Sequence, residues 1–289
     1  MRTKIDLGSL ESKKEQALTR QEILDKAHDY VTYERRYSAT NIRESMVAIR
    51  FLVDHYGITV PSDDDAKRVI DDARAKGLSN NTIAHRLFYL RLLAAALKQG
   101  EVTLKPPKKI KPIIGFLTLT ECRALIDGCT NKRDKAIVTL GLVAGPRPSE
   151  LTRIELQDVD LRGRTIRIKG TKTYTERVIV LNDECIQALK AWLTVRPQVE
   201  SHNLFLNRYG QNLRVREVNR ITKAVAARAK IEKRVFYYML RHSCATHLVY
   251  TGSIIDAASQ LGHKSLQTTY GYLHADADHL RIAVNRLKY

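Results

Sequence analysis

Five side chains in distinctive local settings could carry chemistry in this 289-residue chain. Arg147 stands in Gly145-Pro146-Arg147-Pro148-Ser149-Glu150 and Lys169 in Ile168-Lys169-Gly170-Thr171-Lys172. Arg241 stands in Leu240-Arg241-His242-Ser243, His263 in Leu261-Gly262-His263, and Tyr272 in Thr268-Thr269-Tyr270-Gly271-Tyr272. Together they suit phosphoryl transfer without a metal. The cations can neutralise a phosphodiester, and a tyrosine hydroxyl can attack it. A guanidinium held between two prolines has a stiff backbone and can grip two phosphate oxygens in a fork. Glu150, three residues on, could brace Arg147. Two choices stay open on residue type alone. Lys172 rivals Lys169, and Tyr270 rivals Tyr272. Residues two apart on a helix point about 200° apart, so both tyrosines cannot face one phosphate.

The other common chemistries find no footing. There is no phosphate-binding loop of the type that ends in Gly-Lys-Ser/Thr, so no nucleotide is implied. No carboxylate cluster suggests paired metals, and no cofactor is expected. Cys122, Cys129, Cys185 and Cys244 form no metal-type spacing and are expected to be reduced thiols.

Helices and one strand pair must position these groups. Residues 1–18 read as a polar tail. Apolar periodicity predicts four helices over 19–100, opened by Thr19, Ser38, Asp63 and Ser79 and closed near Gly57, Gly77 and Gly100. Lys105-Pro106-Pro107-Lys108-Lys109-Ile110-Lys111-Pro112 cannot be helical and reads as a basic linker. Beyond it, Thr118 opens a helix, 132–143 a buried one, and Pro148 suits the first turn of a third. Strands are expected over 165–169 and 176–181, then helices over 183–193, 215–229, 240–250 and 254–261. An amphipathic tail runs from 276 to 287, with Leu280, Val284 and Leu287. The fold class is therefore mainly α with a small antiparallel β-sheet.

A formal charge of +18 and a pI near 9.8 make the molecule strongly electropositive. Nucleic acid is the commonest partner for such a surplus. Lys105, Lys108, Lys109, Lys111, Lys172 and Arg86 are candidate DNA contacts. The charged N-terminus is not a signal peptide, and no run of about 18 apolar residues predicts a membrane span, so a cytoplasmic, nucleoid-associated protein is expected.

The residues around Arg147, Lys169, Arg241, His263 and Tyr272, in this order, resemble the catalytic set of the tyrosine recombinases, the phage-type integrases and Xer-type recombinases. The resemblance covers roughly residues 19–275 and is most specific after 140. It implies a helical core-binding domain over 19–104, the linker over 105–112 and an α+β catalytic domain over 113–289, closing as a C-shaped clamp on duplex DNA. It also implies the roles. Tyr272, nine residues after His263, is the nucleophile. Arg147 and Arg241 clamp the phosphate, Lys169 is the general acid, and His263 binds the scissile phosphate. The family's usual His-x-x-Arg stands here as Tyr238-x-x-Arg241, as in some archaeal mobile-element integrases. A phenol with an ordinary pKa near 10 is a poor base at neutral pH. His263 is then the alternative acceptor of the tyrosine proton, unless no efficient base is needed. The implied assembly is a homotetramer on two duplexes, a monomer or dimer without DNA, helped by an accessory DNA-bending or host protein. The tail after Leu273 is the candidate for docking on a neighbouring protomer. A type IB-like topoisomerase shares this chemistry. A DNA-binding protein with a decayed site is the reading from another class, and Tyr238 is its only support.

Overall fold

The computed structural model describes residues 18–108, 115–170, 176–262 and 269. The chain divides into two compact units, 1–112 and 113–289.

In the first unit, α1 (Arg20–Asp29) starts at a reciprocal cap. Glu22 N donates to Thr19 Oγ1, and Thr19 N donates to the Glu22 carboxylate at 2.7 Å. The helix runs on into a π-helical turn, Tyr30–Glu34, which apolar periodicity alone did not predict. Then follow α2 (Ala39–Tyr56), α3 (Asp63–Ala75) and α4 (Asn80–Leu97), capped by Ser38, Ser62 and Ser79. The apolar residues of α4 bury almost all round the helix, because it packs on α1, α2 and α3 together. Ile23, Ile49, Leu52, Val69, Leu87, Leu90 and Leu93 form the centre of this core.

The first residues after α4 are tied down before the basic stretch begins. Thr103 and Leu104 donate their backbone N–H groups to Asp63 at 2.8 and 2.9 Å. Arg91 donates to the carbonyls of Val102 and Leu104. Lys105 and Lys108 lie exposed beyond this strap. Lys109 and Lys111 fall outside the described residues.

The second unit begins with α5 (Leu119–Asp127), α6 (Lys132–Val143) and the short α7 (Pro148–Leu151). Three antiparallel strands follow in the order β1 (Val159–Asp160), β2 (Thr165–Ile168) and β3 (Arg177–Val180). Ile166 pairs with Ile179, and Ile168 with Arg177. β1 is a two-residue strand that sequence periodicity did not predict. Asp160 closes its turn by accepting from the N–H groups of Arg162 and Gly163.

Four more helices follow among the described residues: α8 (Asp183–Leu193), α9 (Val215–Arg228), α10 (Tyr237–Thr251) and α11 (Ile254–Leu261). Central α6 packs against α5, α8, α9 and α10. The core joins Ile137, Leu140, Ile166, Ile179, Leu189, Val218, Val225 and Leu240. Trp192 is buried against Phe205, and its indole N–H donates to Leu204 O at 2.9 Å.

α10 begins at Tyr237, three residues before its expected start. Phe236 offers no capping side chain, so nothing local marks the start. Asn219 on α9 supplies the acceptor instead, at 3.2 Å from Tyr237 N. Tyr238 and Arg241 thereby share one helix, a turn apart. The amphipathic stretch expected over 276–287 and the tail 1–17 lie outside the described residues. No helix among the described residues is long and apolar enough to cross a membrane.

Candidate active site

Arg147 is the N-cap of α7, with Pro148 as first helical residue. Its backbone N–H donates to Glu150 Oε2 at 2.7 Å, and its Nη1 donates to Glu150 Oε1 at 2.9 Å. The suspected brace is thus present as a contact. Glu150 is shared, because Arg177 from β3 donates to both its oxygens, at 3.0 and 2.8 Å. Burial raises the Glu150 pKa, but hydrogen bonds from Arg177, then from Arg147, outweigh it and hold the carboxyl at about 2.

Arg241 is fully buried. Its Nη1 donates to Gly145 O at 2.5 Å and its Nη2 to Leu261 O at 2.8 Å. The guanidinium therefore staples the turn ahead of Arg147 to the last residue of α11. Burial, then the nearby charge of Arg147, lowers its pKa from the ordinary value. The turn must be glycine here. Gly145 has φ +56°, and a Cβ on it would come 2.7 Å from Leu261 Cδ2. Arg147 and Arg177 share the Glu150 carboxylate, and Arg241 lies close enough to feel the charge of all three.

Lys169 follows β2. Its ammonium donates to Glu155 Oε2 at 2.6 Å and lies 3.6 Å from Asp158 Oδ2. The hydrogen bond to Glu155 raises its pKa. Both acids belong to the chain that leads from α7 into β1. With Glu150 and Lys169 they line one depression of about 390 Å³. Lys169 therefore shares a hollow with the Arg147 brace.

Tyr238 is half-buried, and its ring meets His242 edge-on at 5.1 Å between centroids. Arg86, in the first unit, is engaged within its own fold. It donates to Tyr56 Oη at 3.0 Å, lies 3.4 Å from Asp72 Oδ2 and stacks over Phe51. His263, Tyr270, Tyr272, His274 and Lys172 lie outside the described residues. The described site thus brings together Arg147, Arg241 and Lys169 of the expected set.

The site also contains residues that sequence inspection passed over: Arg177, Gln260 and Glu155. The signal for Arg177 lay in its phase. Val178 and Val180 face out, 56% and 59% exposed, while Arg177 points inward with buried Ile179. An arginine in register with the buried side of a strand calls for a partner.

A profile of the phage integrase family matches residues 115–279. The tyrosine recombinase XerC of Thermodesulfovibrio yellowstonii is 32% identical over 232 residues, covering 73% of this chain and 77% of that protein. The crystal structure of XerA recombinase is 25% identical and superposes with a TM-score of 0.58, covering 93% of this chain and 99% of that one. A lambda integrase dimer bound to a COC′ core site, 15% identical, shares the fold with a TM-score of 0.73 over 87% of this chain and 97% of that one. Matched by the family profile over more than half its length, and by a recombinase at 32% identity along most of it, the chain belongs to the phage integrase family of tyrosine-type site-specific recombinases.

Proposed function

We propose that the chain cuts and rejoins duplex DNA through a 3′-phosphotyrosyl intermediate. The carrying observation is the convergence of Arg147, braced by Glu150, with Arg241, locked between Gly145 O and Leu261 O. Such fixed donors can stabilise charge on the non-bridging oxygens of a phosphodiester as it becomes pentacoordinate. Tyr272 Oη attacks phosphorus and the bond to the 5′ oxygen breaks. The departing oxygen takes a proton from the Lys169 ammonium. The phenol proton passes to His263 or to water. Tyr238 hydrogen-bonds the phosphate or positions that water rather than acting as a base. One phosphodiester is exchanged for another, so the step balances without ATP, and the guanidinium groups take the charge-stabilising part a divalent metal would otherwise play.

A 5′ hydroxyl from a partner duplex reverses the step, and four protomers on two duplexes carry out the exchange. The first unit supplies DNA-binding surface with the basic stretch 105–112, and the second supplies the chemistry. The recombinase relatives favour exchange between sites over relaxation of one duplex.

Covalent trapping tests this. Wild type, Tyr272→Phe and Tyr270→Phe are incubated in EDTA with sheared genomic DNA from the source organism. After denaturation, protein-linked DNA is sequenced. The expected result is an adduct lost only with Tyr272→Phe, on a defined sequence. An adduct that survives Tyr272→Phe moves the nucleophile elsewhere. Binding without any adduct supports a DNA-binding protein instead.

A further inference from the structure

Arg177 connects three parts of the site that sequence keeps apart. Its guanidinium forks onto both oxygens of Glu150, at 3.0 and 2.8 Å, and Glu150 in turn holds Arg147 through backbone and side chain. Its Nε reaches Gln260 O, at 3.4 Å, in the last turn of α11. Its own backbone pairs with Ile168, the residue before Lys169. The side chain is only 9% exposed.

The surroundings are cut to admit it. Gly262, at φ +65°, passes so close that a Cβ there would stand 2.5 Å from Arg177 Cδ and 2.8 Å from Nε. Gln260 fixes the same junction from the other side. Its amide donates to Val180 O at 2.8 Å and accepts from Val180 N at 3.0 Å, as a neighbouring strand would. α11 is thereby registered on β3, and the chain leaves it towards His263.

We propose that Arg177 is a positioning residue for strand cleavage. It sets Arg147 through Glu150, and it locks the end of α11 to the strand pair that carries Lys169. A planar fork makes this contact in one geometry, which a lysine cannot reproduce. The inference rests on the recombinase reading above.

The test uses the full chain and the duplex recovered as its adduct, nicked so that cleavage cannot reverse. Wild-type adduct that vanishes with Tyr272→Phe must come first. If wild type forms none, the recombinase reading fails and this inference falls with it. A failure of Arg177 alone shows only against an active wild type. Arg177→Lys and Arg177→Ala are then compared for single-turnover cleavage and for affinity to the same duplex. Cleavage is expected to fall roughly 10²-fold, as for a reacting group displaced by about 1 Å. Affinity should stay within about twofold, since the charges that track the duplex remain. In the DNA-free protein, the arginine Nε–H NMR signal of Arg147 should move in Arg177→Lys. Cleavage at the wild-type rate overturns the proposal. So does a parallel loss of cleavage and affinity, or an Arg147 signal that stays in place. Should the alanine variant fail to fold, the lysine variant decides alone, and unfolding of both makes Arg177 a scaffold residue and overturns it as well.

Discussion

A carboxylate gripped by two guanidinium groups stays charged far into acid. Glu150 titrates at about 2 instead of its ordinary 4.5, so the folded form binds its proton more weakly than the unfolded chain does. Its contribution to stability is complete above about pH 4.5 and is lost as pH falls towards 2. Glu150→Gln should cost on the order of 3 kcal/mol at neutral pH, with a gap that closes towards about pH 2, read as denaturant midpoints across that range. A pH-independent gap would mean packing, not charge, sets the cost. Lys169 shows the opposite shift, raised first by its hydrogen bond to Glu155. A proton donor serves best with a pKa near the working pH, so the pair with Glu155 describes a lysine at rest. Lys169→Ala should slow cleavage roughly 10²- to 10⁴-fold, whereas Glu155→Gln should cleave as fast as wild type or faster. If Glu155→Gln is as damaging as Lys169→Ala, the pair is needed during the reaction itself. Arg147 and Glu150 could be linked from sequence because the brace spans three residues across one proline-bounded turn. Arg177 could not, because its partner lies 27 positions away and the two meet only after the sheet packs beside α7.

The junction of α11 with β3 carries a steric prediction. Gly57 and Gly262 share a left-handed backbone, φ +66° and +65°, but a Cβ on Gly57 would meet nothing within 4 Å. Gly57→Ala should therefore cost only the backbone penalty of about 1 kcal/mol. Gly262→Ala should cost that plus the displacement of Arg177, roughly 2–4 kcal/mol in all, and should lower cleavage as well. Equal costs in urea titrations would show that Arg177 yields without strain. Element boundaries were legible in sequence wherever the cap is local: Thr19, Ser38, Ser79, Thr118 and Ser253 each accept from the first turn of their own helix. The start of α10 was not legible, because Asn219 reaches it from α9. Asn219→Ala should lose about 1 kcal/mol and fray the turn that bears Tyr238, seen as faster amide exchange at 237–239.

At the scale of the whole molecule, charge dominates. A surplus of +18 predicts DNA binding driven by release of counterions. Affinity for any duplex should drop on the order of 10³-fold or more between about 50 and 200 mM salt. Fluorescence anisotropy would show it, and a flat response would argue against phosphate tracking. Composition and the helical pattern made that partner and the mainly α fold legible. The expected tetramer on two duplexes comes from the family resemblance and not from composition or helical pattern. The chain also carries a built-in optical reporter. Its one tryptophan, Trp192, is buried in the second unit beside Phe205. Indole emission under selective excitation therefore follows the melting of that unit alone, whereas helical circular dichroism averages both. The two signals, recorded on the unmodified chain, separate the stabilities of its two cores without a label, a truncation or a fusion.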